Sequence, residues 1–174
     1  MRDHNLGSLP HHFKRRINKM LEDEDLLRLC YAVSWKSEDP STKIGALVTH
    51  RGQVISIGYN YLLPGCKNLP DDKLFYTQHA EAAAIWEALS QRDKGLHGCQ
   101  LYASAAACSS CAKAIIGAGI QTVITHNAFQ KASKRWGPEI LKAQDMMRAF
   151  GITVEVWEGE LNCLAFFEGS KIHV

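Results

Sequence analysis

The chain of 174 residues is 46% hydrophobic and 22% charged, as is usual for a globular protein of about one domain. No run approaches the ~20 apolar residues that a membrane-spanning helix needs, and residues 1–19 contain no apolar stretch typical of a secretory signal. The net charge of +2 is too small to indicate nucleic-acid binding by itself, so we expect neither a membrane nor a nucleic acid as a partner.

The N-terminal end of the chain differs in character from the rest. Residues 1–20 mix histidines with the basic cluster Lys14, Arg15 and Arg16, and we predict that they form a basic arm. Residues 21–174 are predicted to form one domain, long enough to bury a core of its own.

The first elements of this domain are predicted to be a helix and a β-hairpin. Apolar residues between 26 and 34 recur with helical spacing, after an acidic stretch that suits a helix N-terminus. Two β-branched, apolar runs at 44–50 and 53–60 are joined by a short glycine turn, which predicts an antiparallel pair. The long loop that follows, 61–78, lies next to the motif described below, which favours a binding role.

The remaining sequence alternates between helices and strands. Helices are predicted from His79, from Ser109 and over 138–150, and strands are predicted over 100–104, 122–125 and 153–156. The residues after 156 form an amphipathic end. This alternation predicts an α/β fold in which helices cover both faces of a sheet whose later strands are parallel.

One histidine and two cysteines have the spacing of a catalytic zinc site. His79, Cys108 and Cys111 supply three ligands and leave a fourth tetrahedral position open, whereas structural zinc sites have four protein ligands. Glu81, two residues after the histidine, supplies a general acid/base. The pattern H-x-E…P-C-x-x-C is the signature of zinc nucleobase deaminases, and here it departs from that signature at Ala107, which replaces the proline.

Cys-x-x-Cys alone is ambiguous between a redox pair, a structural zinc site and chance. Strong helix formers follow both ligand groups, which places the groups at helix N-termini, where backbone N–H groups stabilise thiolates. The alternative of inert buried cysteines with a helix-capping Glu81 stays open at this point. The other four cysteines are expected to be free thiols in a reducing, cytoplasmic environment: Cys30, Cys66, Cys99 and Cys163.

The chain resembles the cytidine deaminase superfamily, and within it the deoxycytidylate (dCMP) deaminases, many of which occur in phages and bacteria. The resemblance extends over residues 21–156 and is carried by four segments: DPSTKIGA at 39–46, GYN at 58–60, HAE at 79–81, and 108–119. It implies a three-layer α/β/α sandwich with a five-stranded mixed sheet, one zinc ion and a homo-oligomer. A cytoplasmic location follows, which is the host cytoplasm if the protein is phage-encoded.

The resemblance also implies roles for single residues. His79, Cys108 and Cys111 would hold Zn2+, and Glu81 would transfer the proton. Four residues are predicted to bind the substrate: Asn60 at the sugar, the Ala80 backbone at the base, Lys43 near the phosphate, and Ser104 where the family usually has a threonine.

The implied reaction is hydrolytic deamination of dCMP to dUMP and ammonia, which feeds thymidylate synthesis. Bound zinc lowers the pKa of water toward ~7, so no organic cofactor is needed. The chain departs from the family at Ala105, Ala106 and Ala107 and at Tyr61 after the asparagine. Other zinc deaminases therefore stay open, acting on a modified-cytosine nucleotide, a purine base or tRNA adenosine. A noncatalytic zinc-binding paralogue would have no use for Glu81.

Overall fold

The structure, a computed structural model, describes residues 21–66, 73–128 and 137–174. The helices in these ranges are α1 (Asp23–Ser34), α2 (Lys73–Tyr76), α3 (Ala80–Ser90), α4 (Ser109–Ala118) and α5 (Gly137–Ala149). The strands are β1 (Gly45–His50), β2 (Gln53–Tyr59), β3 (Tyr61–Leu62), β4 (Thr77–Gln78), β5 (Cys99–Ala103), β6 (Thr122–His126), β7 (Thr153–Trp157), β8 (Leu164–Phe167) and β9 (Ser170–His173).

The predicted basic arm, residues 1–20, lies outside the described residues, so the division of the chain at residue 20 stays a prediction. None of the helices in the described ranges is both long and apolar enough to cross a membrane.

Five strands form the central mixed sheet, in the order β2-β1-β5-β6-β7. Strand β1 is antiparallel to β2 and to β5, whereas β5, β6 and β7 are parallel. Parallel neighbours require crossover connections, and the stretches that contain α4 and α5 provide them. The predicted five-stranded mixed sheet with parallel later strands is therefore confirmed.

Alternating side chains place a core on each face of the sheet. Helices α3, α4 and α5 cover one face, where their buried residues pack against Val48, Leu101 and Val123. Helix α1 covers the other face together with residues of the C-terminal part, including Leu161 and Ala165. The three-layer α/β/α sandwich is confirmed, with β8 and β9 added to the α1 layer.

The pairing of β8 with β9 was not predicted from the amphipathic end of the sequence. A two-residue turn joins the strands, and both residues have positive φ, 48° at Glu168 and 78° at Gly169. The predicted hairpin β1–β2 has the same kind of turn, at Arg51 and Gly52. Such turns favour Asn-Gly or Asp-Gly, so Glu-Gly is a weaker sequence signal.

The predicted loop 61–78 is closed at its base by a short ladder. Tyr61 pairs with Gln78 and Leu62 pairs with Thr77. Within the described part of the loop, Pro64–Cys66 form a 3₁₀ turn and α2 precedes β4. The ladder brings the end of β2 next to the start of α3, which is where the predicted site residues lie.

Candidate active site

The three predicted metal ligands come together at the N-termini of α3 and α4. The His79 Nδ1 atom lies 3.4 Å from the Sγ atom of Cys108 and 3.4 Å from that of Cys111. All three ligand atoms lie within 4.8 Å of one another, and no fourth His, Cys, Asp or Glu joins the group among the residues that the structure describes.

These distances fit a zinc ion. Zinc binds histidine nitrogen at about 2.0–2.1 Å and cysteine sulfur at about 2.3 Å, so tetrahedral geometry separates a nitrogen from a sulfur ligand by about 3.5 Å. Both nitrogen–sulfur distances of 3.4 Å agree with that value. Three ligands with an open fourth position are typical of a catalytic site.

Both ligand-bearing helices begin immediately after a ligand. His79 and Cys108 occupy the N-cap positions of α3 and α4 in extended backbone conformations, with φ and ψ of −78° and 150° for His79 and −75° and 175° for Cys108. Neither side chain makes a capping hydrogen bond. Both side chains are therefore available to a metal, and Cys111 joins them from the first turn of α4.

The ligands also perturb one another's protonation. Hydrogen bonds lower the pKa of the Cys108 thiol to about 4, although burial opposes this shift. The bond with Cys111 contributes more than the bond with His79. Cys108 in turn raises the pKa of both of its hydrogen-bond partners. The pKa of His79 rises to about 9, and the pKa of the Cys111 thiol is also raised. Metal binding requires deprotonated ligands, so a bound dication would displace the protons that these groups hold.

Glu81 lies in the first turn of α3, and its side chain is only 4% exposed. Burial raises the pKa of its carboxyl group. Burial disfavours the charged form of the carboxyl group, which suits a group that takes up and releases a proton as a general acid/base.

Asn60, directly after β2, forms two side-chain hydrogen bonds with the 42–44 segment. Its Nδ2 group donates to the Thr42 carbonyl over 2.9 Å, and its Oδ1 atom accepts from the Ile44 N–H over 2.8 Å. The side chain is almost fully buried, at 7% exposed. Asn60 therefore has a structural role in addition to its predicted sugar contact, which stays a prediction.

The Ala80 backbone is fixed by close packing against β2. A Cβ atom at Gly58 would lie 2.2 Å from the Ala80 carbonyl oxygen and 2.4 Å from the Ala84 nitrogen. Only glycine fits at this contact, which explains the glycine in the GYN segment physically. The first turn of α3, with His79 and Glu81, is thereby held against the sheet.

Lys43 and Ser104 have partners within the protein. The Lys43 ammonium group donates to the Ser37 carbonyl and lies 5.7 Å from the ring centroid of Phe166. Ser104 is fully buried, and its hydroxyl oxygen accepts from the Gly45 N–H over 3.1 Å. The substrate contacts predicted for both residues stay predictions.

A second lysine near the same segment was missed by the sequence interpretation. The Lys73 ammonium group lies 2.7 Å from the Asp39 Oδ1 atom, which also accepts from the N–H groups of Ser41 and Thr42. Burial opposes ionisation of Asp39, but these hydrogen bonds lower its pKa below the usual value. Lys73 belongs to no motif, so only its contact with the DPSTKIGA segment identifies it.

The alanine run before Cys108 is largely part of the protein core. Ala107 is 2% exposed and packs with the core under α3, α4 and α5, whereas Ala105 packs against the core on the α1 face. Ala106, between them, is partly exposed.

A mixed sheet with helices on both faces and a one-histidine, two-cysteine centre defines an α/β protein of the zinc-deaminase type. Residues 20–127 match the family model for the cytidine and deoxycytidylate deaminase zinc-binding region. The chain belongs to this family. The resemblance found in the sequence and the predicted enzyme class, a zinc-dependent nucleotide deaminase, are thus confirmed.

Individual relatives agree with this assignment. The chain is 35% identical over 126 residues to an uncharacterized deaminase in the luxG 3' region of Aliivibrio fischeri, covering 70% of this chain and 82% of the relative. It is 32% identical over 152 residues to deoxycytidylate deaminase of Mus musculus, covering 80% and 82%. The dCMP deaminase of cyanophage S-TIM5 in complex with dCMP and dUMP has the same fold, with a TM-score of 0.61 at 20% identity over 86% of this chain and 99% of that chain.

Proposed function

We propose that the protein converts dCMP to dUMP and ammonia by zinc-dependent hydrolysis, a reaction whose product would feed thymidylate synthesis. The observation that carries the proposal is the three-ligand set His79, Cys108 and Cys111 with the buried Glu81 beside it. When bound, zinc acts as a Lewis acid that makes water nucleophilic at neutral pH.

Glu81 transfers protons in the proposed reaction. It accepts a proton from the attacking water and donates it to the ring nitrogen N3 as the oxygen adds to C4 of the base. The second water proton goes to the exocyclic amine, which leaves as ammonia while C4 becomes a carbonyl. The Ala80 backbone, fixed by its contact with Gly58, orients the base.

A nucleotide-sized substrate has two kinds of support. The relatives with a named substrate include the deoxycytidylate deaminase of Mus musculus, and the low net charge of +2 disfavours an anion as large as tRNA. Lys43 is the predicted phosphate contact. Lys73 is a second candidate, because its ammonium group meets Asp39 in the turn that leads to the Asn60-bound segment 42–44.

The substrate is tested by a panel assayed for ammonia release with the zinc-loaded protein: dCMP, 5-methyl-dCMP, deoxycytidine, dCTP and guanine. We expect the highest kcat/KM for dCMP. A higher value for another compound would overturn the substrate and leave the reaction class intact, whereas no ammonia from any compound would overturn the proposed nucleotide deaminase. The methylated nucleotide tests the alternative of a modified-cytosine substrate.

Two matched variants locate the phosphate contact. Lys43→Gln and Lys73→Gln each remove one cation from the same region. If one of these lysines binds the phosphate, its replacement should lower kcat/KM for dCMP. The same replacement should leave kcat/KM for deoxycytidine, which has no phosphate, unchanged. An equal loss for both substrates would indicate a structural role for that lysine.

The homo-oligomer implied by the resemblance stays a prediction, which light scattering of the purified protein tests.

A further inference from the structure

Helix α4 begins at the metal centre, directly after the ligand Cys108. A helix N-terminus leaves its first backbone N–H groups unpaired, and an N-cap side chain usually accepts from one of them. Cys108 occupies the N-cap position with its Sγ atom facing His79, and the Cys111 backbone N–H helps to lower the pKa of its thiol. The N–H group of Ser109, the first residue of the helix, has no acceptor within the helix and needs one from elsewhere.

Glu139, in the first turn of α5, supplies the missing acceptor. Its Oε1 atom accepts from the Ser109 backbone N–H over 3.2 Å and from the Ser109 hydroxyl over 2.8 Å. These two hydrogen bonds lower the pKa of the Glu139 carboxyl group. A carboxylate at a helix N-terminus is also favoured by the helix dipole.

The capped residue lies between the two cysteine ligands. Ser109 follows Cys108 directly and precedes Cys111 by two positions, so a bond to its N–H restrains the backbone that aims both sulfur atoms. Groups that hydrogen-bond to the ligand framework in this way commonly fix ligand orientation in metal sites.

We infer that Glu139 is a positioning residue for the metal centre, holding the Cys108–Cys111 turn in ligand geometry through its two hydrogen bonds with Ser109. The inference rests on the proposed zinc-binding role of the cysteines. The inferred role needs a hydrogen-bond acceptor at this position, and a glutamine Oε1 atom can accept the same two bonds without the charge.

The test measures the release of zinc from the loaded protein into a chromophoric chelator, together with the sulfur-to-metal charge-transfer band of the cobalt-substituted protein. Glu139→Ala is expected to weaken metal retention by about 10–100-fold, the usual effect of losing such a group, and to alter the cobalt band. Glu139→Gln should restore both readouts to near the wild-type values. Asp145→Ala removes an exposed acid from the same helix and should change neither.

Wild-type zinc release and an unchanged cobalt band in Glu139→Ala would overturn the inference, as would Glu139→Gln behaving like Glu139→Ala. If Glu139→Ala fails to fold, Ser109→Ala decides, because it removes the hydroxyl bond and keeps the backbone bond. Faster zinc release in Ser109→Ala supports the inference, and wild-type release contradicts it. A wild-type protein that binds no zinc would overturn the proposed metal centre itself, which is a distinguishable failure.

Discussion

The two helices that carry the metal ligands begin alike but are held in place by different means. Helix α3 is pressed onto β2 so closely that a Cβ atom at Gly58 would lie 2.2 Å from the Ala80 carbonyl oxygen. Helix α4 depends at its start on a side chain from another helix, Glu139. Backbone packing thus fixes the histidine side of the site, whereas a hydrogen-bonded tether fixes the cysteine side. We therefore expect the histidine side to be disrupted by any side chain larger than glycine at position 58. We expect the cysteine side to be disrupted by loss of the hydrogen-bond acceptor at Glu139.

The largest expected effect comes from Glu81→Gln, which removes the proton-transferring carboxyl group from α3 and leaves both helices in place. General acid/base catalysis typically contributes about 10²–10⁴-fold, and here one group serves several proton transfers. We expect turnover of dCMP to fall by at least that range while zinc content stays at the wild-type value. A variant that retains a tenth of the wild-type rate would rule out Glu81 as the proton carrier.

The next effect concerns the packing of α3. Gly58→Ala forces the helix away from β2, and overpacking of this kind costs about 1–3 kcal/mol or more of the free energy of unfolding. Because His79 begins this helix, zinc retention should fall as well. Gly117→Ala in α4 is the control, since a Cβ atom there meets nothing within 4 Å and alanine favours a helix. Equal stability of Gly58→Ala and the wild type in chemical denaturation would contradict the packing account.

A smaller effect is expected from Asn60→Ala, next to the base of α3. The substitution leaves the Thr42 carbonyl and the Ile44 N–H without their partner, which costs about 1–3 kcal/mol when such groups are buried. Denaturation measures this structural part. A sugar contact would appear in addition as a lower kcat/KM for dCMP, and an unchanged kcat/KM would mean that the sugar is held elsewhere.

The parts of the molecule that the sequence predicted are those encoded by local patterns. Apolar, β-branched runs around a glycine turn predicted the β1–β2 pair, and the strand–helix alternation predicted the parallel later strands with helices on both faces, whereas the five-stranded mixed sheet was implied by the family resemblance. The HAE and Cys-x-x-Cys motifs predicted the metal-binding side chains that the structure brings together. The β8–β9 hairpin was not predicted because its Glu168-Gly169 turn is a weak sequence signal.

Pairings between distant side chains could not be predicted in this way. Glu139 is 30 residues from Ser109, and Lys73 is 34 residues from Asp39. No periodicity links such positions, because their contacts arise only when the packing of whole helices and loops is complete.

Titration of the metal-free protein with zinc, with dUMP formation from dCMP followed at each addition, tests the central claim most directly. We expect no turnover without metal, a linear rise with added zinc and a plateau at one zinc per chain, because His79, Cys108 and Cys111 form one three-ligand site. Cys111→Ala, assayed in parallel, should stay inactive at the same zinc concentrations. Full turnover by the metal-free protein, or a Cys111→Ala variant activated like the wild type, would contradict the account.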